Sequence, residues 1–324
     1  MRWNLAETLR TTVQRPLNSD MTITLVLHQR DELSNALESA VKDAAQKAGY
    51  TINSVDSKNS VSLQLAQVKG AKKRGEKAII INLVNPIDPS DILEAAKDMK
   101  VVLLNHALTD LNVLNENVVF IGPDDMLAGK IQGEWLSGYF KTRGKNNIQY
   151  ILLEGIPDWP ATINRTKGAI QALTDEGLRA VQVAAPTIAN YSREEAEEIL
   201  IPILRSGIIP DAIIANNDDM ALGAVNAMEH IGIDPAKTAI AGINALPAAL
   251  EAIREGKMVM TVFQNLREQG TASIAALVNM MKGMPINQGT DFLVAENTPY
   301  ILYVPLEPVT KTYVPSKLKY PLKA

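Results

Sequence analysis

The densest cluster of groups able to do chemistry lies in IANNDDMALG (214–223), where an apolar run ends in Asn216, Asn217, Asp218 and Asp219. Adjacent carboxylates can be driven apart in pKa to serve as acid and base. Side chains at a helix start more often divide into a cap and a solvated neighbour, which argues against catalysis by Asp218 and Asp219. The other candidate strand ends offer amides where a nucleophile, base and oxyanion hole would be needed. No enzyme activity, catalytic residue or cofactor is therefore expected. The chain has no cysteine, which excludes thiol catalysis, Cys-ligated zinc and disulfides. His28, His106 and His230 do not show the ligand spacing of a metal site, and no phosphate loop occurs.

Such groups need elements to position them. The 324 residues, 46% hydrophobic and 21% charged, have globular composition and a length that favours two domains. The net charge of -4 comes from interspersed acids and bases, so no nucleic-acid footprint is visible. Short apolar runs at 21–29, 77–84, 101–105, 147–155, 212–216, 238–244 and 259–265 read as strands, with amphipathic helical segments between them. One such helix follows the first strand and is stopped by Gly49. Near-continuous Val/Ile/Leu strands alternating with helices predict an α/β fold with parallel sheets covered on both faces. Two sheets fit the strand count better than one. The Asn-rich segment 105–117 reads as an inter-domain crossover, and the Pro-rich 294–324 as a last strand or two plus a tail.

In doubly wound sheets, ligands bind beyond the carboxyl ends of the strands. There the sequence places His28 and Asp31, Asn82, Asn105 and His106, the Trp159–Arg165 loop, Asn216 and Asn217, Asn244 and Gln264. Amides and carboxylates match hydroxyls that donate and accept at once, and aromatic rings cover the apolar faces of sugar rings. A neutral, poly-hydroxylated ligand fits this inventory. Micromolar affinity needs about 8 kcal/mol, whereas one net hydrogen bond gives only about 0.5–1.5 kcal/mol. Contact from many sides, by two domains closing on the ligand, is thus expected, with the amides touching ligand and the following acids capping the next helix.

The segments AIIINLVNPID, AIIANNDDMALGAVNAME and IAGINALPAALEAIREGKMVMTVFQN resemble the galactose/glucose-binding branch of the periplasmic sugar-binding proteins, over about 21–305. The resemblance implies two Rossmann-like lobes joined by three hinge crossovers, a type I periplasmic binding protein. The corresponding divisions are an extension at 1–20, a first lobe at 21–109 plus 267–299, and a second at 110–266 plus 300–324. It also implies sugar contacts at Asp31, Asn82, Arg165, Asn217, Asn244 and Gln264, with Tyr191 standing where a Trp is common. The family's His and Asp before the arginine are here Trp159 and Ala161. That exchange makes part of the pocket apolar and fuller, and favours a pentose, xylose first, over glucose or galactose. The short, acid-free KTRGKNNI predicts no calcium site.

The implied role is an extracytoplasmic receptor that feeds an ABC permease or signals to a membrane sensor histidine kinase, without nucleic-acid partners. No run approaches the ~20 apolar residues of a membrane span, and the first residues lack a signal-peptide core. The chain is thus either cytosolic or exported with a leader or anchor it does not carry. The alternative is the sugar-responsive core of a lactose-repressor-type regulator, without the ~50–60-residue DNA-binding module such a regulator needs.

Overall fold

The computed structural model describes residues 21–185 and 187–318. The expected extension at 1–20 and the end of the tail lie outside them. The first sheet contains β1 (Thr22–Leu27), β2 (Thr51–Asp56), β3 (Ala78–Ile81), β4 (Lys100–Leu104), β5 (Val118–Gly122) and β12 (Ile301–Tyr303), all parallel, in the order β12-β5-β4-β3-β1-β2. The second holds β6 (Asn147–Glu154), β7 (Arg179–Gln182), β8 (Thr187–Ile188), β9 (Ala212–Ala215), β10 (Ala239–Ala241), β11 (Met260–Gln264) and β13 (Leu306–Thr310). Its order is β13-β11-β10-β9-β6-β7, with β8 also paired to β6 and only β13 antiparallel to its neighbour.

The apolar strands follow from burial on both faces. In β3, Ala78 and Ile80 face α1 (Glu32–Ala48) and α9 (Leu266–Met281), while Ile79 and Ile81 face α2 (Val61–Lys73) and α3 (Ser90–Ala95). The second sheet is sandwiched in the same way. One face packs on α4 (Asp125–Lys141) and α5 (Pro160–Asp175), the other on α6 (Arg193–Arg205), α7 (Asp218–His230) and α8 (Pro247–Glu255). With each buried Ile or Leu contributing about 1.5–3 kcal/mol, both faces must be apolar. Gly49 ends α1 as expected, in the left-handed conformation at φ 82°.

Three crossovers join the lobes, at 123–124, at Asn265 and at 304–305. This corrects the expected boundaries. Segment 105–117 stays inside the first lobe as the β4–β5 connection, and both β5 and β12 pair in the first sheet. Polarity in 105–117 mimicked a linker, whereas the crossover is the two-residue step from β5 into α4. The half-exposed, polar strand β2 was also missed, because its position at the sheet edge requires no apolar run.

Close helix packing links this scaffold to the cleft. A Cβ on Gly129 would lie 2.1 Å from the Arg165 carbonyl oxygen, and one on Gly168 would lie 2.3 Å from that of Met126. Only glycine lets α4 and α5 approach so near, and α5 carries Arg165. Gly168→Val is expected to separate the helices and cost about 1–3 kcal/mol or more. A urea melt checks this; an unchanged midpoint would refute the packing argument.

Candidate functional site

The carboxyl ends of both sheets face a cleft of ≈ 730 Å³. From the first lobe it is lined by His28, Gln29, Asp31 and Leu33 after β1, and by Asn105 and His106 after β4. From the second come Trp159, Ala161 and Arg165 around the start of α5, Tyr191 and Arg193, Asn217 and Asp219, and Asn244. Six expected residues therefore meet there: Asp31, Trp159, Arg165, Tyr191, Asn217 and Asn244.

Asn82 and Gln264 do not line the cleft. Asn82 is 1% exposed, and its side chain is fully engaged: Oδ1 accepts from His28 Nδ1 at 2.6 Å and Nδ2 donates to the Leu104 carbonyl at 2.9 Å. It orients a wall residue from behind. Gln264 lines a separate cavity of ≈ 330 Å³ at the hinge, with Asn105 Nδ2 donating to its Oε1 at 3.5 Å. Its Nε2 has no hydrogen-bond partner among the described residues.

The stretch 216–219 assigns roles differently from the expected pattern of amides to ligand and acids to cap. Asn216 is structural: Oδ1 accepts the Gly155 N–H at 3.1 Å, and Nδ2 donates to Thr166 Oγ1 at 3.1 Å. Asn217 is the cap of α7, accepting the Met220 N–H at 3.0 Å, while its Nδ2 donates to the Tyr191 carbonyl at 3.3 Å. Asp218 is fully buried and accepts from Thr261 Oγ1 at 2.6 Å and the Leu246 N–H at 2.8 Å. Asp219 pairs with Arg193 at 2.7 Å. An amide can cap a helix as well as a carboxylate, and here the amide stands one residue nearer the strand. Asp31 likewise caps α1, accepting the Ser34 N–H at 2.7 Å.

A column of rings spans the cleft. His28 and His106 lie 4.7 Å apart between centroids, His106 and Trp159 5.0 Å, and Trp159 and Tyr191 6.0 Å. All three separations fall within the range of favourable aromatic contact. Because His106 belongs to the first lobe and Trp159 to the second, this contact holds the lobes together. The two histidines were visible at strand ends but absent from the expected ligand set; their position was the available signal. Burial lowers the pKa of His28, and burial together with the neighbouring His28 ring brings His106 down to about 3. Both are neutral at pH 7. Each Nδ1 meets an oxygen, Asn82 Oδ1 for His28 and the Leu83 carbonyl at 2.7 Å for His106, which assigns the proton to Nδ1. The His106 Nε2 is then an acceptor suited to a hydroxyl donor, while the His28 Nε2 stands 3.6 Å from Asp31 Oδ2, so that there two acceptors face the same donor.

The opposite wall is fixed by Arg165. Its Nε donates to Asp125 Oδ1 at 2.8 Å and its Nη1 to the Asn216 carbonyl at 2.9 Å, both buried. Burial pushes the Asp125 carboxyl up, against the pull of the guanidinium. Among the described residues Nη2 has no partner, so a fork of donors remains for an acceptor in the cleft. Tyr191 is held by Thr162 at 2.8 Å, and burial pushes its phenol up to about 12, so it stays a neutral hydroxyl. Its left-handed backbone (φ 63°) brings the ring over Gly155, where a Cβ would lie 2.1 Å from Cζ. No group of three metal-binding side chains occurs among the described residues, and no described helix is long and apolar enough to cross a membrane.

Two predictions follow from these partners. Arg165→Ala leaves Asp125 buried without its countercharge and is expected to cost about 3–5 kcal/mol by urea melt; a neutral result would refute the pairing. Burial also pushes Asp218 up to about 7, well above the ordinary carboxylate range. A pKa raised on folding gives stability that is present below the unfolded value and lost as pH climbs through the folded one. The melting temperature of the native chain relative to Asp218→Asn should therefore fall between about pH 4 and about pH 8. A difference independent of pH would contradict the burial of this carboxyl.

The geometry has close parallels in known proteins. A periplasmic binding protein domain matches residues 23–285. The D-galactose/methyl-galactoside binding periplasmic protein MglB of Haemophilus influenzae is 30% identical over 275 residues, 81% of this chain and 82% of its own. The ribose import binding protein RbsB of Salmonella typhimurium is 28% identical over 287 residues, 86% of this chain and 90% of its own. An ABC transporter solute binding protein from Bacillus halodurans, solved with bound myo-inositol, aligns with a TM-score of 0.77 at 28% identity, covering 90% of this chain and 95% of that one. Two lobes, three crossovers and a cleft at the strand ends thus agree with the sequence match: the chain belongs to the periplasmic binding protein family.

Proposed function

We propose that this protein is an extracytoplasmic receptor for one uncharged monosaccharide, with a pentose such as D-xylose favoured over glucose and galactose. The observation that carries the reading is a cleft lined by hydrogen-bonding groups from both lobes, Asp31, Asn105 and His106 from one and Arg165, Asn217 and Asn244 from the other, beside a half-buried aromatic wall. Neutral His28 and His106 offer acceptors, Arg165 offers donors, and the Asn244 side chain has no partner among the described residues. Trp159 and Tyr191 supply ring faces for apolar C–H surface. These complement hydroxyls that donate and accept, and the named ligands of the relatives, galactose, ribose and myo-inositol, are all such compounds.

The pentose preference rests on the Trp159 end of the cleft. Ala161 offers no hydrogen bond there, and Trp159 reaches across to His106. An exocyclic hydroxymethyl group would lose its water without gaining a partner. The bound protein hands its sugar to an ABC permease or reports it to a membrane sensor kinase; a pull-down with a sensor ectodomain, with and without sugar, separates these routes.

Calorimetry across D-xylose, D-ribose, L-arabinose, myo-inositol, D-glucose and D-galactose tests the ligand. D-xylose should bind more tightly than D-glucose or D-galactose by roughly tenfold or more, the usual worth of one misplaced group. Equal or tighter binding of either hexose would end the pentose reading. Trp159→Ala should weaken the preferred sugar by about 0.5–1.5 kcal/mol beyond lost area, and unchanged affinity would remove the ring from the site.

A further inference from the structure

We propose that Asp218 is a positioning residue of the sugar site, acting through Asn244: its buried carboxyl holds the β10–α8 loop in the conformation that presents Asn244 to the cleft. The inference rests on the reading of that cleft as a sugar site. Asp218 itself does not line the cleft.

The loop is strained. Asn244 has φ 132° and Ala245 φ 58°, two consecutive non-glycine residues in the left-handed half of backbone space. Such conformations persist only where surrounding structure over-determines them. Here every backbone N–H of the strained segment is engaged. That of Asn244 donates to the Val262 carbonyl at 2.9 Å, that of Ala245 to Thr261 Oγ1 at 3.2 Å, and that of Leu246 to Asp218 Oδ2 at 2.8 Å. Thr261 in turn donates to Asp218 Oδ1 at 2.6 Å, and the Asp218 N–H donates to the Ile243 carbonyl at 2.9 Å. Two of the three anchors therefore depend on one carboxyl, directly or through the Thr261 hydroxyl. The fit leaves no slack: a Cβ on Gly242 would lie 2.2 Å from Asp218 Oδ1.

What the loop presents is an amide without a partner. Asn244 is 6% exposed, lines both the cleft and the hinge cavity, and its side chain forms no hydrogen bond among the described residues. An amide held so rigidly and left unpaired is poised for a ligand. If Asp218 releases the loop, Asn244 relaxes and its bond to the sugar is lost. The carboxyl is thus worth to binding what Asn244 is worth.

A double-mutant cycle tests this with the preferred sugar of the calorimetric panel. Asp218→Ala and Asn244→Ala should each weaken binding by roughly five- to tenfold, the worth of one hydrogen bond. The double variant should be no weaker than either single one. Asp218→Asn keeps an acceptor for Leu246 and turns its NH2 towards Thr261 Oγ1, which then accepts where it donated before; this variant should restore affinity to within about twofold. Losses that multiply in the double variant would overturn the proposal, as would an Asp218→Asn as weak as Asp218→Ala. Amide hydrogen exchange without sugar decides the matter independently: Ala245 and Leu246 should exchange faster in Asp218→Ala than in the native chain and Asp218→Asn. Equal protection in all three overturns the positioning role. A native chain that binds no sugar defeats the sugar reading, while the exchange data still judge the loop.

Discussion

A parallel sheet covered by helices on both faces leaves polar side chains few places to go, and the rest of this structure follows from that constraint. Buried strands such as Ala78–Ile81 and Ala212–Ala215 are apolar along their whole length. Polar residues collect where those strands end, because only there can hydrogen-bonding groups reach partners or water. Two sheets with their carboxyl ends facing one another concentrate these groups in a single cleft. The fold therefore supplies a concave, polar, partly aromatic site before any particular ligand is specified.

Most of that polarity serves to hold the remainder in place. Asn216 ties β6 to α5, Asn82 orients His28, Asp125 and the Asn216 carbonyl fix Arg165, and Asp218 secures the loop carrying Asn244. Each spends its hydrogen bonds on neighbouring protein, so a residue in contact with ligand keeps one direction and one rotamer. Prepaid ordering of this kind lowers the cost of association and lets a few modest hydrogen bonds add up to useful affinity. The neutrality of His28 and His106 has the same origin, since burial that excludes water also excludes their protons.

The architecture was legible in the sequence because its signal, long apolar runs alternating with helices, repeats along the chain. The site was legible at the level of strand ends, and six of the expected residues line the cleft. The division between contact and support was not. Asn82 and Asn244 are both amides after β-strands, yet one is saturated by His28 and Leu104 while the other lacks any partner among the described residues. That difference depends on atoms more than twenty positions away. The same holds for 216–219, where the spacing allowed either acid to cap the helix and the strand register gave the cap to Asn217. The hinge at 123–124 was hidden for a different reason: a two-residue step carries no compositional mark, whereas the polar 105–117 carries one without being a hinge.

The central claim is that one uncharged sugar is gripped by strand ends of both lobes. Its most direct test is a crystal structure grown with the tightest-binding sugar. The account predicts a single ring in the cleft, bonded to His28 or His106 on one side and to Arg165 and Asn244 on the other, with Trp159 against its apolar face. A sugar contacting only one lobe, or lying outside the cleft with those side chains unengaged, would contradict it.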